Sequence, residues 1–170
     1  MPEWTGTAEA TVHLGDLSSP AVSVAPAKKW TVAIIPHEHL DIGFTDYAAK
    51  IAELHSQSID AAMDLIKKTP DFRWTLDGSW VADQYLNTRS SQAQEQFLDH
   101  VRAGSIVIPP EISNQHTGNA SWSGLARSLY EERRLEREFK LPRADAAQIV
   151  DVPAYTWAYA SVLHLSLIHI

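Results

Sequence analysis

A chain of 170 residues that is 45% hydrophobic and 21% charged offers enough apolar surface for a packed core and is too apolar for a disordered segment. Its 14 Lys and Arg against 21 Asp and Glu give a formal net charge of −7, and the one dense basic cluster, Arg133, Arg134 and Arg137, is interleaved with Glu131, Glu132, Glu136 and Glu138, the pattern of a solvated helix laced with ion pairs rather than a nucleic-acid footprint. No run approaches the roughly 20 apolar residues that span a bilayer, and with no cysteine disulfides and thiolate zinc sites are excluded, so any metal falls to histidine and carboxylate ligands.

Residues 1–10 lack the charged n-region and apolar stretch of a secretory signal, which leaves the compartment open. Residues 1–28 mix short alternating runs such as Ala10-Thr11-Val12-His13-Leu14 with Gly, Ser and Pro. They read as an extended or β lead-in, or as the end of a preceding domain. Trp30-Thr31-Val32-Ala33-Ile34-Ile35 is then a nearly continuous β-prone run, as expected of a first core strand buried on both faces. Thr45 or Asp46 can cap the helix that follows, where Ile51, His55, Ile59, Met63 and Ile66 recur at three- and four-residue steps before Lys67, Lys68 and Pro70 end it.

Phe72-Arg73-Trp74-Thr75-Leu76 supplies a second strand, and residues 80–87 and 92–103 supply helical cover ending at Gly104. Ser105-Ile106-Val107-Ile108 is a third strand, stopped by two prolines. A long helix is predicted over 121–140, with Trp122 near its start, and a fourth strand at Ala147-Gln148-Ile149-Val150, ending in Asp151. Strands alternating with helices define an α/β fold of parallel βαβ units, either an open sheet or part of a barrel. Ligands then belong at the carboxyl ends of the strands. Those ends hold residues 37–41, Asp77, residues 111–116 and Asp151, and they are far richer in His and carboxylate than the rest of the chain.

The first strand runs into Pro36-His37-Glu38-His39-Leu40-Asp41-Ile42-Gly43-Phe44. In extended chain His39 and Asp41 point the same way, so an imidazole nitrogen and a carboxylate oxygen can grip one ion, while Gly43 lets the backbone turn before the helix. The plainer reading is a strand end whose polar residues meet water. Asp151, ending another strand of the same sheet, favours the first reading, since three ligands from two strand ends suit zinc with a position left for substrate. Nitrogen and oxygen ligands also admit other divalent ions.

His39-Leu40-Asp41-Ile42-Gly43-Phe44, after an apolar strand and before a helix, resembles the opening motif of the glycoside hydrolase family 38 α-mannosidases. The later segments Phe72-Arg73-Trp74-Thr75-Leu76, Gly104-Ser105-Ile106-Val107-Ile108 and Gln148-Ile149-Val150-Asp151 follow in the order that the family's N-terminal α/β-barrel domain requires. The resemblance covers residues 29–164. It implies the N-terminal part of a catalytic domain, with the barrel incomplete at the C-terminus, and a carbohydrate substrate.

By that resemblance His39, Asp41 and Asp151 match zinc ligands, and Asp151 is also the catalytic nucleophile of a retaining glycosidase. Phe44 sits where the family usually has a tryptophan against the sugar. The family's histidine as fourth ligand and its acid/base carboxylate fall in sequence beyond residue 170, so the chain alone is expected to be inactive. Where the family commonly continues its nucleophile with Pro-Phe-Gly-His-Ser, this chain has Val152-Pro153-Ala154-Tyr155-Thr156, closer to divergent bacterial-type members. Preference for mannose is therefore open.

Two roles are open to Asp77: reaching the sugar or a metal ligand, or capping the turn at residues 78–80. The loop of residues 111–116, His116 included, either hydrogen-bonds sugar or simply meets solvent. His37 shares the face of His39 and reads as a neighbour that supports a ligand rather than a ligand itself. His55 and His100 fall on helix surfaces and read as structural, and Trp74, Trp80 and Trp122 as core rather than sugar platforms. His37-x-His39 after a barrel strand also matches the start of amidohydrolase-type barrels, where metal-bound water is the nucleophile and Asp151 would serve as ligand only. An inert carbohydrate-binding fragment is the non-enzymatic alternative. Residues 165–170 end without cap or polar tail and resemble adapter read-through, so they are expected not to be native.

Overall fold

A computed structural model of the chain describes residues 6–26 and 28–168. The chain divides into two compact units between residues 34 and 35. In the first, β1 (Ala8–Ala10) pairs antiparallel with β4 (Val22–Val24), and β2 (His13–Leu14) with β3 (Leu17–Ser18). The lead-in is thus two nested hairpin ladders, with Gly15 supplying the positive φ that the tight turn between β2 and β3 requires. The reading of residues 1–10 as free of a signal begins in residues outside those described.

The predicted first core strand does not form. Trp30, Val32 and Ile35 are exposed, and Ile34 is 86% exposed. A strand buried on both faces needs a hydrogen-bonded neighbour along its length. The backbone partner present, β5 (Trp74–Thr75), is two residues long and meets the chain only after the apolar run. Thr75 N–H donates to the Pro36 carbonyl at 3.2 Å and Glu38 N–H to the Thr75 carbonyl at 2.9 Å.

In the second unit β5 pairs in parallel with β6 (Ile106–Val107), Trp74 opposite Ile106 and Thr75 opposite Val107, and His37 bridges to Thr75 in the same sense. Three chain segments thus run parallel, as the alternation of strands and helices predicts, but among the described residues the sheet is small and does not close into a barrel. The fourth predicted strand is irregular, half-buried chain. Its last N–H, that of Val150, donates to the Asn114 side chain instead of a strand.

Helix α1 (Ala48–Lys68) buries Ile51, Ile59, Met63 and Ile66, as its spacing predicts. Its N-cap is Tyr47, with no side-chain cap, and Asp46 lies one residue too early, accepting from the Tyr47 N–H at 2.8 Å. Helices α2 (Ser79–Thr88) and α3 (Ser91–Arg102) complete the cover, and Ser90 caps α3 by accepting from the Ala93 N–H. Leu76, Tyr85, Phe97, Ile106 and Leu135 fill the shared core. Gly78 is required before α2: its φ is +110°, and a Cβ there would lie 2.6 Å from the Ile112 carbonyl oxygen.

The predicted long helix is two. Helix α4 (Trp122–Arg127) and α5 (Tyr130–Phe139) are separated because the Ser128 carbonyl accepts from Ile112 N–H at 2.8 Å, and its hydroxyl donates to the Leu125 carbonyl at 2.7 Å. α5 is not simply solvated either: Leu135 and Glu132 are buried, and Arg134 bridges to Asp83 of α2 at 2.7 Å. Helix α6 (Trp157–Leu165) packs Tyr159, Val162 and Leu163 against Leu125 and Leu129 in a second cluster. No helix among the described residues is long and apolar enough to cross a membrane.

Candidate active site

At the carboxyl end of the parallel segments the period-2 reading of residues 37–41 holds. Glu38 and Leu40 are buried, while His37, His39 and Asp41 face away from the core. Gly43, at φ +87°, makes the turn that precedes α1. Its N–H donates to the Asp46 carbonyl at 2.9 Å.

His39 is the centre of the arrangement. Its Nε2 lies 3.3 Å from Asp41 Oδ2 and 3.6 Å from Asp151 Oδ2, and its Nδ1 lies 3.6 Å from Asp77 Oδ2. Asp77 thus stands on one side of the ring and the other two carboxylates stand on the opposite side. Asp77 is 2% exposed, and its Oδ2 accepts from the Leu40 N–H and from Asn114 Nδ2, both at 2.6 Å. Burial raises its pKa, opposed by the Leu40 hydrogen bond and by the charge of His39. Asp77 therefore does not cap the turn at Gly78: it holds the backbone next to His39.

Asp151 is 82% exposed at its side chain and sits at φ +52°, with Ala154 at φ +65°. Non-glycine residues in this left-handed region are uncommon and concentrate at functional sites. Side-chain and backbone bonds from the 114–118 loop fix the segment. His116 Nδ1 lies 3.1 Å from the Pro153 carbonyl, Gly118 N–H donates to the Ala154 carbonyl at 2.7 Å, and Thr156 N–H donates to Thr117 Oγ1 at 3.0 Å.

A cleft of about 290 Å³ is lined by His39, Asp41, Asn114, His116 and Asp151 among others. Five sequence-predicted site residues thus meet around one feature, four of them in the cleft wall and Asp77 behind His39. Phe44 is 90% exposed and is not among the residues lining this cleft. His37 turns its Nδ1 to the Glu38 carbonyl at 2.5 Å. Trp74 stacks on Phe72, with ring centroids 6.1 Å apart, and packs with Trp80 against the core, whereas Trp122 is half-exposed.

Sequence reasoning missed two features. His55 is not a surface residue: its Nδ1 faces the buried Glu38 Oε2 at 3.3 Å, beneath the His39 segment. The i,i+4 repeat that placed His55 on the apolar face of α1 is the signal that points there. Glu111 is the second. It is buried, and its Oε1 accepts from the Tyr159 hydroxyl at 2.8 Å. Burial pushes its carboxyl up to about 7 from an ordinary 4.5, against the downward pull of that hydrogen bond.

A carboxyl whose folded pKa lies above its unfolded one adds stability that is fully present below the unfolded value and is lost as pH rises through the folded value. For Glu111 that window runs from about 4.5 to about 7, and burial shifts Glu38, Asp77 and Glu132 in the same direction. Unfolding free energy measured in denaturant is expected to decline as pH rises through this window. Glu111→Gln, which keeps the shape but cannot ionise, is expected to shallow the decline, and an unchanged slope would count against the assignment.

The donor set around His39 can be compared with what a metal ion needs. Among the described residues no three His, Asp or Glu side chains close around one ion position; the donors meet in pairs about His39. In kind and spacing those pairs suit a zinc-like ion, since ligands each about 2.1 Å from a tetrahedral ion lie about 3.4 Å apart. The Nε2 separations of 3.3 and 3.6 Å bracket that edge. A carboxylate on the Nδ1 side is the usual outer partner of a ligating imidazole, because it holds the proton on Nδ1 and frees the Nε2 lone pair.

The second unit is a mixed α/β arrangement with a small parallel sheet, and three carboxylates gather around a histidine at its carboxyl end. The sequence matches the family described as glycosyl hydrolases family 38 N-terminal domain over residues 29–169, and the chain belongs to that family. Among solved structures it is similar to a protein in the glycosyl hydrolase family 38 from Enterococcus faecalis, at 20% identity and a TM-score of 0.60. That likeness covers 78% of this chain and 15% of the other, so the chain spans a small part of that protein's length. No curated protein matches the chain.

Proposed function

We propose that this chain supplies the leading part of the catalytic barrel of a zinc-dependent retaining glycosidase acting on α-mannosides or related glycans. The observation that carries the reading is the convergence on His39 of three carboxylates from separate segments, at 3.3 to 3.6 Å, in a chain of a glycosyl hydrolase family. That membership favours it over the amidohydrolase-type alternative.

In this reading His39, Asp41 and Asp151, which here meet in pairs about His39, would together hold the ion, which when bound would supply electrostatic attraction for sugar hydroxyls. Asp77 keeps the His39 ring oriented. Asp151, exposed to the cleft and on a backbone fixed by the 114–118 loop, attacks the anomeric carbon as the glycosidic bond breaks and forms a glycosyl ester. Water then hydrolyses the ester with net retention, a sequence that needs a second carboxyl about 5–5.5 Å away as acid and base. His116, in the cleft wall, is placed to meet a sugar hydroxyl, and Phe44 to stack on a sugar only if the segment after Gly43 folds over the cleft.

The test is trapping. An activated fluoroglycoside that stalls the ester, applied to a full-length protein carrying this chain, is expected to add one glycosyl group on Asp151, read by peptide mass spectrometry. Turnover of substrate with a label elsewhere, or with none, would overturn the assignment.

A further inference from the structure

Asn114 lies between the two halves of the site. Its Nδ2 donates to Asp77 Oδ2 at 2.6 Å, and its Oδ1 accepts from the Val150 N–H at 3.2 Å. The orientation of the amide is dictated chemically, since Asp77 offers only an acceptor and Val150 only a donor, so flipping the group would lose both bonds. Asp77 in turn holds the Leu40 N–H and faces His39 Nδ1, while Val150 precedes Asp151. One side chain therefore connects the backbone beside His39 to the backbone beside Asp151, segments more than 100 residues apart in sequence.

We infer that Asn114 is a positioning residue that sets the Asp151 carboxylate opposite His39, rather than a ligand for sugar. Its carbonyl and one of its two N–H groups are already engaged, which leaves a single N–H for anything in the cleft. Residues 147–150 form no strand, so no ladder there does this work. Asp151 stands on a left-handed backbone, a conformation that persists only where its surroundings over-determine it.

The inference rests on Asp151 as nucleophile, and its test separates the two. In the chain itself, Asn114→Ala is expected to abolish hydrogen-exchange protection of the Val150 amide and to shift the Asp151 backbone and His39 ring resonances. Asn114→Asp combined with Asp77→Asn exchanges the donor and the acceptor of the bond between these two side chains and keeps an acceptor for the Val150 N–H, so the pair is expected to retain Val150 protection, and it reads the Val150 bond if the alanine variant fails to fold. In a full-length protein carrying the chain, Asn114→Ala is expected to lower kcat about 100-fold, with KM changed less than about threefold. Unchanged Val150 and Asp151 signals in Asn114→Ala would overturn the inference, as would a raised KM with kcat intact, the signature of a sugar contact. Failure of the nucleophile reading shows differently, as turnover without a label on Asp151 in the unaltered protein, and the resonance measurements still decide the role of Asn114.

Discussion

Asp151→Asn, made in a full-length protein carrying this chain, is expected to lower kcat on an activated aryl glycoside by at least about 10³-fold, the scale on which loss of a covalent nucleophile acts. The amide is nearly the same size and tolerates the left-handed backbone that Asp151 occupies at φ +52°, so the fold is retained and the loss is chemical. Asp151→Ala removes the nucleophile altogether and opens space on the cleft side of His39 Nε2, from which Asp151 Oδ2 now lies 3.6 Å away. Added azide is then expected to restore turnover and to yield the glycosyl azide of inverted configuration, because a small anion attacks directly where the carboxylate had been. An Asp151→Asn protein with undiminished kcat would remove Asp151 from the chemistry. The same variants would lower zinc affinity if Asp151 is a ligand as well, which titration calorimetry with zinc alone reads without reference to turnover.

Asp77→Ala is expected to cost about 2–4 kcal/mol of folding stability, measured by denaturant unfolding. One oxygen of this buried carboxylate takes two hydrogen bonds of 2.6 Å, from Leu40 N–H and Asn114 Nδ2, and hydrogen bonds to charged groups contribute about 1.5–3 kcal/mol each. The truncation strands the Leu40 N–H in a buried setting, which sets the loss above that of a surface carboxylate. Asp77→Asn, with its amide oxygen in the place of Oδ2, keeps an uncharged acceptor for both donors and is expected to lose less. The two losses are not additive with that of Asn114→Ala, since the residues share a bond. A fall of under about 0.5 kcal/mol in Asp77→Ala, within the range of ordinary surface changes, would show that the observed bonds do not hold the strand end.

Much of this arrangement was legible in the chain itself. Apolar spacing at three and four residues located α1 and its buried face, and Gly43 and Gly104 mark the turns at which backbone leaves or enters a parallel segment. The alternation of strand and helix puts His39, Asp41 and Asp77 at the carboxyl ends of parallel segments, whereas Asp151, expected at the end of a fourth strand that does not form, reaches His39 from irregular chain. The run at residues 30–35 misled because β-branched and aromatic residues describe what a strand would be made of, not whether a neighbour is present to pair with it. The long helix over 121–140 misled because its continuous apolar period gives no sign that the N–H of Ile112, distant in sequence, donates to the Ser128 carbonyl.

The sequence alone determined the chemistry available: no thiolates, a His-x-Asp pair in extended chain, and a further carboxylate, Asp77, at the end of a second parallel segment. Those facts follow from local geometry, in which residues two apart share a face and a glycine permits a turn. Only the tertiary structure decided that Asp77 lies behind the His39 ring while Asp41 and Asp151 lie before it, and that Asn114 joins the two sides. Separations between residues tens of positions apart are set by parallel pairing and by a few buried hydrogen bonds, and no periodicity along one segment carries that information.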